Sequence, residues 1–329
     1  MFHVLVIGAG TMGSTHAAAY AAMDNVKLVG IVDIQTEKYV GLAQRLNAPI
    51  FATYEDAMTN IEQVDIVDIC LPTYLHKIYV KKAANAGKHV ICEKPLARNL
   101  EDAREIIEVC KQNNVKLFVG HVLRFFPEYK EAKAQLDQGA IGNPAIVRTT
   151  RGGAFPQAWN HWYADFQNSG GLVLDMIIHD FDFLRWCFGD VERVYAKGLL
   201  GRGSYPLEYS LVTLRFVNGI IAHVEGTWSH ESFSMKFEIA GKTGILDYDS
   251  SKDQPLVAVS RGGRGSSGGV AVPESPLKEN PYYTELKHFL SCIEKGNDPI
   301  VSAEDAFEAM RIALAAIESM QTGQQITLR

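Results

Sequence analysis

Apolar and polar positions follow two rhythms along this chain, and the change from one to the other divides it. In the first third, short and nearly unbroken apolar runs recur at residues 2–7, 27–32, 64–71, 89–92 and 115–119. Runs of that length and continuity predict strands buried on both faces, as in a parallel sheet. Between them lie segments of helical character at 14–22, 35–46, 54–59, 76–86 and 99–110. The last of these is capped by Asn99 and carries Glu101 and Asp102 in its first turn. Repeated strand–helix units predict an α/β fold whose N-terminal part is a doubly wound parallel sheet.

After about Gly120 the rhythm changes. Helices are expected from Pro127 to Gln138, from Tyr282 to Lys295, and from Ser302, a good cap, to Met320. Strands are expected at 145–151, 191–200, 207–217, 219–229, 233–240 and 244–249, with a hairpin at Asn218-Gly219 and another connection at 240–244. This predicts a C-terminal α+β domain built on a large, mostly antiparallel sheet. The domains are drawn at 1–121 and 122–329, with the last helices expected to pack back toward the first domain. The Gly- and Ser-rich stretch 260–269 reads as a mobile loop. The apolar strands at 211–217 and 220–224 need a cover, which points to a homo-oligomer, a tetramer or a dimer.

One stretch stands apart. Residues 172–186 follow Gly170-Gly171 and are strongly apolar, yet hold Asp175, His179 and Asp182. A single helix over this stretch stacks those three on one face. Buried charge is costly unless it is paired or used, so a polar stripe on an oily helix points to a pocket. The bland alternative is a core histidine with two solvated aspartates.

The first apolar run leads into Gly8-Ala9-Gly10-Thr11-Met12-Gly13, a helix, and a second strand that ends in Asp33, 20 residues after Gly13. Strand, GxGxxG, helix, strand and acid together form the Rossmann dinucleotide fingerprint. The glycines let main chain approach a pyrophosphate, and the helix N-terminus supplies N–H donors. Asp33 accepts from ribose hydroxyls and repels a 2′-phosphate, and Ile34 rather than arginine follows it, so NAD is expected over NADP. Leu71, Pro72, Thr73, His76, Glu93 and Lys94 fall at carboxyl ends of strands, where the nicotinamide half of the cofactor is expected. His76 reads equally well as a packing or capping residue.

Composition narrows the classes. A net charge of -6 without a basic stripe argues against nucleic acid. No apolar run approaches the ~20 residues a membrane helix needs, and the run at 2–7, without a cationic n-region or a cleavage site, is not expected to be a signal peptide. Five scattered cysteines without a CxxC pair fit reduced thiols in a cytoplasmic protein. No metal is expected: Asp175, His179 and Asp182 lack a second histidine at clear ligand spacing.

The first domain, Glu93-Lys94-Pro95 after a strand, and the Gly170-Gly171…Asp175…His179…Asp182 segment together resemble the Gfo/Idh/MocA oxidoreductases, over nearly the whole chain. The resemblance implies NAD(P)-dependent chemistry on a sugar, cyclitol or related alcohol. It also implies an open-faced sheet used between subunits. It assigns catalysis to Lys94 and, through the inositol dehydrogenase branch, to Asp175 and His179. Arg124 is a candidate at the nicotinamide and substrate, and His161 and Trp162 are candidates for substrate. Asp182 is expected to orient His179. A cis Lys94–Pro95 bond is compatible with the motif. The expected activity is oxidation of a small-molecule polyol or sugar, myo- or scyllo-inositol first. An aldose, deoxysugar or sugar-derivative dehydrogenase is the alternative, and a non-catalytic NAD-sensing regulator is a remoter one.

Overall fold

The computed structural model describes residues 1–199, 208–252 and 280–328. In chain order these form β1 (Phe2–Ile7), α1 (Thr11–Ala21), β2 (Val26–Val32), α2 (Thr36–Arg45), β3 (Ile50–Phe51), α3 (Tyr54–Asn60), β4 (Ile66–Ile69), α4 (His76–Asn85), β5 (His89–Glu93), α5 (Leu100–Gln112) and β6 (Leu117–Gly120). There follow α6 (Pro127–Asp137), β7 (Pro144–Ala154), α7 (Phe166–Ser169), α8 (Gly171–Asp175), α9 (Ile178–Phe188), β8 (Val191–Leu199), β9 (Tyr209–Phe216), β10 (Ile221–Thr227), β11 (Ser229–Gly241) and β12 (Ile245–Asp249). The described chain closes with α10 (Pro281–Lys295), α11 (Ala303–Thr322) and β13 (Ile326–Thr327). The stretch 260–269, read as a loop from its composition, lies outside the described residues.

The chain forms two compact units. The first comprises Met1–Phe125 with Glu279–Phe307, the second Phe126–Lys278 with Glu308–Arg329. The first unit therefore holds α10 as well as the six-stranded sheet. That sheet is parallel throughout, in the order β3-β2-β1-β4-β5-β6. The order reverses between β1 and β4, which opens a crevice at their carboxyl ends. Its core joins Val4, Val6, Ile31, Ile66 and Phe118 of the strands to Tyr20 of α1 and to Leu286, Phe289 and Leu290 of α10. Phe289 stacks on Phe118 at 4.9 Å between ring centroids. Ser302 caps α11, accepting from the Asp305 N–H while Asp305 Oδ2 accepts from the Ser302 N–H, both at 3.0 Å.

The second unit holds a seven-stranded sheet in the order β12-β11-β7-β10-β9-β8-β13. All neighbours are antiparallel except β7 and β10. The expected hairpin is present: Gly219 takes φ +95°, and the Asn218 side chain accepts from the Ile220 N–H. The apolar runs expected to need a cover divide by strand alternation. Val212, Leu214, Phe216, Ala222 and Val224 point into the core, whereas Leu211, Thr213, Arg215, Ile221, His223 and Glu225 take the other face. That outer face is mixed in character, with Tyr195, Leu199, Leu211 and Ile146 about 40% exposed among Lys197, Arg148 and Glu225. On the core face Tyr129 of α6 meets Phe183 of α9 and Phe237 of β11 edge-on, at 4.8 and 5.1 Å.

The single helix expected over 172–186 is two helices. It closes at Asp175 and restarts at Ile178. The Leu172 carbonyl accepts from both the Met176 and Ile177 N–H groups, and Ile177 leaves the helical ladder at φ −83°, ψ 0°. At the break Ile177 makes a contact far along the chain. A Cβ at Gly226 of β10 would come within 2.5 Å of Ile177 Cγ2, so Ile177 is seated directly on bare main chain of the sheet.

Candidate active site

In the first unit the nucleotide fingerprint folds as its chemistry requires. Gly8 has φ +93°, and a Cβ there would approach the Cys70 carbonyl oxygen to 2.4 Å. A Cβ on Gly13 would reach the Gly8 carbonyl oxygen at 1.7 Å, so α1 can lie against the loop only with glycine there. Gly10 is different: a Cβ would meet nothing within 4 Å, and the residue is exposed. It caps α1 without a side-chain bond to the first-turn N–H groups, and that turn carries no acidic residue. Thr11 and Met12 open the helix half-buried. The open side of the loop thus offers main-chain donors to an anion. Asp33 closes β2 with Oδ2 accepting from the Ala9 N–H and Oδ1 from the Gln35 N–H, both at 2.8 Å. An ionised carboxylate retains further lone pairs after two such bonds. These residues fit a dinucleotide: bare loop, uncapped helix start and a fixed acid beside them. Ile34 is exposed next to Asp33.

At the ends of β4 and β5 the picture is more selective. Leu71 and Pro72 are half-buried, Thr73 is buried, and Lys94 is half-buried after a cis Lys94–Pro95 peptide. Glu93 is buried, and its Oε2 accepts from the Lys94 N–H at 3.1 Å. His76 is buried with Nδ1 at 2.9 Å from the Pro95 carbonyl and Nε2 at 2.8 Å from the Leu71 carbonyl. Both ring nitrogens face main chain, which favours the packing reading of this residue over cofactor contact. Arg124 is 3% exposed and donates from Nη1 to the Ile300 carbonyl at 2.7 Å, with Asp305 at 3.4 Å. These partners bind it to the start of α11.

In the second unit Asp175 ends α8, buried, and His179 opens α9, half-buried. Asp182 is buried at 1% exposure rather than solvated. Trp162 stacks on Tyr163 at 3.9 Å and joins a small apolar cluster of Tyr163, Leu172, Met176 and Trp228. His161 is exposed, with φ +50°.

Two groups here escaped the sequence reading. Asp180 pairs with Arg151 of β7 at 2.7 Å, both buried. Removing one member of such a pair strands the other, at a general cost of about 3–5 kcal/mol. Glu208, next to β9, lies buried against the Gly170-Gly171 turn; a Cβ on Gly171 would come within 2.8 Å of its Oε2. Its carboxylate accepts from the Leu172 N–H, so it holds the start of α8. Burial pushes its pKa up to about 7, opposed by the Leu172 bond and assisted by the charge of Asp175. An acid beyond a turn of unremarkable composition gives no local signal of such a partner.

Two family models match the chain: an oxidoreductase family domain with an NAD-binding Rossmann fold over residues 2–121, and the C-terminal alpha/beta domain of the same family over 133–328. This chain belongs to the Gfo/Idh/MocA oxidoreductases, with NAD as the cofactor of its Rossmann domain. It is similar to the myo-inositol 2-dehydrogenase of Thermotoga maritima, at 31% identity over 98% of this chain and 97% of that one. It is also similar to the 1,5-anhydro-D-fructose reductase of Ensifer adhaerens, at 28% identity over 97% and 96%. Among solved structures, a probable dehydrogenase from Thermotoga maritima superposes with a TM-score of 0.84, at 29% identity, covering 99% of this chain and 98% of the other.

Glu208 yields a stability prediction. Its folded pKa of about 7 lies above the ordinary carboxylate value of 4.5, so its protonated form favours the folded state. That contribution is complete below the unfolded pKa and is lost as pH rises through the folded one. Glu208→Gln keeps an acceptor for the Leu172 N–H and removes the charge. The variant's stability relative to the parent should therefore rise between pH 5 and pH 8, by about 1–3 kcal/mol. Thermal melts at the two pH values measure this, and a constant difference contradicts it.

Proposed function

We propose that this chain oxidises a secondary alcohol of a cyclitol or polyol with NAD, with myo- or scyllo-inositol as the first substrates to test. The observation that carries the reading is the intact set Lys94, Asp175 and His179. The two partly exposed members stand among buried neighbours, Lys94 after Glu93 and His179 between Ile178 and Asp180. NAD held in this domain would supply the hydride acceptor for the carbinol carbon. Gly8, Gly10, Gly13 and Asp33 would hold its pyrophosphate and adenosine ribose. His179 accepts the hydroxyl proton at a ring nitrogen, a role suited to histidine's ordinary pKa near 6.5. Asp175 orients that hydroxyl or the imidazole, and Lys94 donates from Nζ to the reacting oxygen. Arg124, His161 and Trp162 are weaker candidates: Arg124 is already committed to main chain and Asp305, and Trp162 to an aromatic stack. The relative that reduces 1,5-anhydro-D-fructose supports a second reading, a sugar-derivative dehydrogenase with the same residues. A polyol and sugar panel with NAD, followed by NADH absorbance, separates the two.

NAD should be preferred over NADP, and Asp33→Ala should narrow the gap by relieving repulsion of the 2′-phosphate. The ratio of kcat/KM for the two cofactors on one substrate is the readout; a parent enzyme that prefers NADP contradicts the assignment.

We also propose that the outer face of the second unit's sheet, with Tyr195, Leu199 and Leu211 partly exposed, meets a second copy of the chain. Light scattering at micromolar concentration should give a dimer or tetramer, and a monomer would sink the idea.

The proton-transfer assignment is the most exposed to test. His179→Ala should lower kcat about a hundredfold or more, with NAD affinity little changed. Lys94→Ala should also cut kcat heavily, and the double variant should lose less than the two effects combined if they act as a unit. The pH profile of kcat/KM should rise with pH, because the base must be neutral, and its acidic limb should move or vanish in His179→Ala. If kcat and that limb are both retained, His179 is a binding or packing residue.

A further inference from the structure

Beneath the nucleotide loop, the core of the first unit contains a chain of ionisable groups that the proposed reaction does not use. His16 of α1 is 0% exposed, and its Nδ1 lies 2.9 Å from Asp68 Oδ2 in β4. Its Nε2 lies 3.2 Å from Glu93 Oε1 at the end of β5. Asp68, also 0% exposed, accepts from the Tyr20 hydroxyl at 2.8 Å and faces the Cys70 thiol at 3.5 Å. Glu93 in turn accepts from the Lys94 N–H through Oε2. Gly120 of β6 closes the other side, where a Cβ would come within 3.1 Å of Glu93 Oε1. The chain thus runs from α1 through two strands to the main chain of Lys94.

We propose that the buried Asp68–His16–Glu93 chain is a positioning device for Lys94, with His16 as the residue on which it turns. This rests on the assignment of Lys94 to the reacting oxygen. Each carboxylate takes a further donor, Tyr20 at Asp68 and the Lys94 main chain at Glu93, and each faces one ring nitrogen of His16. An ionised carboxylate can only accept. With Asp68 at hydrogen-bond distance from one ring nitrogen and Glu93 at ion-pair distance from the other, we take His16 as an imidazolium. Its charge lies between two carboxyl groups in a site buried from solvent, where leaving one unpaired is costly.

The surrounding groups agree. Burial works against the charge on His16, but the Asp68 carboxylate at 2.9 Å outweighs it and holds its pKa above the ordinary value. Burial likewise works against ionised Glu93, and His16, Lys94 and His76 outweigh it, keeping Glu93 below the usual range. From α10, the Tyr282 ring lies 6.4 Å from the His16 ring, and Glu285 adds negative charge toward Tyr20. The donor atoms of His16, Asp68 and Cys70 lie within 4.8 Å of one another, a spacing that a metal could also use. Burial pushes the Cys70 thiol far up, however, so no thiolate is on hand, and protons already bridge the group.

Two measurements on the whole protein test the proposal. NMR of histidine-labelled protein should show His16 still as an imidazolium at pH 8, where an ordinary histidine is neutral; a neutral His16 at pH 7 overturns it. Steady-state kinetics on Asp68→Asn, which keeps the shape of the side chain, should show kcat down about tenfold to a hundredfold. Substrate KM and NADH affinity, the latter read by fluorescence, should stay within about twofold. Should that variant not fold, Glu93→Gln keeps an acceptor for the Lys94 N–H while removing the charge that faces His16, and the same split is expected. Unchanged kcat in either folded variant overturns the proposal. Lys94→Ala separates the two levels. Retained kcat there overturns the assignment of Lys94 itself, whereas lost kcat there with unchanged Asp68→Asn overturns only the positioning.

Discussion

An ionised carboxylate shut away from water must be neutralised by something fixed in place, and much of the first unit is arranged around that requirement. Glu93 ends a central strand, and Asp68 lies in the middle of its neighbour, both inside the core. Neither can ionise there without a cation between them, and α1 supplies it in His16. The helix that opens the nucleotide loop is therefore tied to the sheet by charge as well as by apolar packing. Its approach is set at one end by Gly13 on the Gly8 carbonyl and in the middle by His16 on two strands. A loop whose donors must meet a pyrophosphate gains from such a fixed base, because donors already in place need no ordering when the ligand arrives.

The second unit meets a related requirement differently. Arg151 and Asp180 form a direct buried pair between β7 and α9, and Glu208 instead sits against bare main chain at Gly171. Among the described residues the partner of Glu208 is a main-chain donor, and burial pushes its pKa up to about 7, while Asp180 has a full cation beside it. The same rule, that buried charge is paired or neutralised, gives two outcomes set by what stands opposite.

What was legible in the sequence follows from the range of the interactions involved. The glycine loop, the acid that ends β2, the hairpin at Asn218-Gly219 and the cap at Ser302 are decided within a few residues, and each is read from local chemistry. The strand-and-helix alternation of the first unit was legible for the same reason. The break at Ile177 was not. Ile177 packs on Gly226, about fifty residues along the chain, and no glycine or proline between Leu172 and Phe188 marks the break. The solvated role considered for Asp182 failed on similar grounds, since burial is a property of the fold and not of the helix alone. Asp68 did carry a signal, an acid inside an otherwise apolar strand, but its partner His16 lies in α1, 52 residues earlier, where a histidine looks unremarkable.

The sheet of the second unit shows how the period of a strand limits an argument from composition. The runs at 211–217 and 220–224 are apolar enough to suggest a large uncovered surface. Alternation sends half of each inward, onto α8 and α9, and leaves a face where Leu211 stands opposite Glu225 and Tyr195 opposite Thr213. Such a surface is close in character to an interface between subunits, which is apolar at its centre but carries charge at its rim. It is less apolar than a core would be. An assembly built on it would rest on the matching of Arg148, Lys197, Arg215 and Glu225 as much as on apolar burial. Its strength should accordingly fall with rising salt, as charge pairs outside the core are screened.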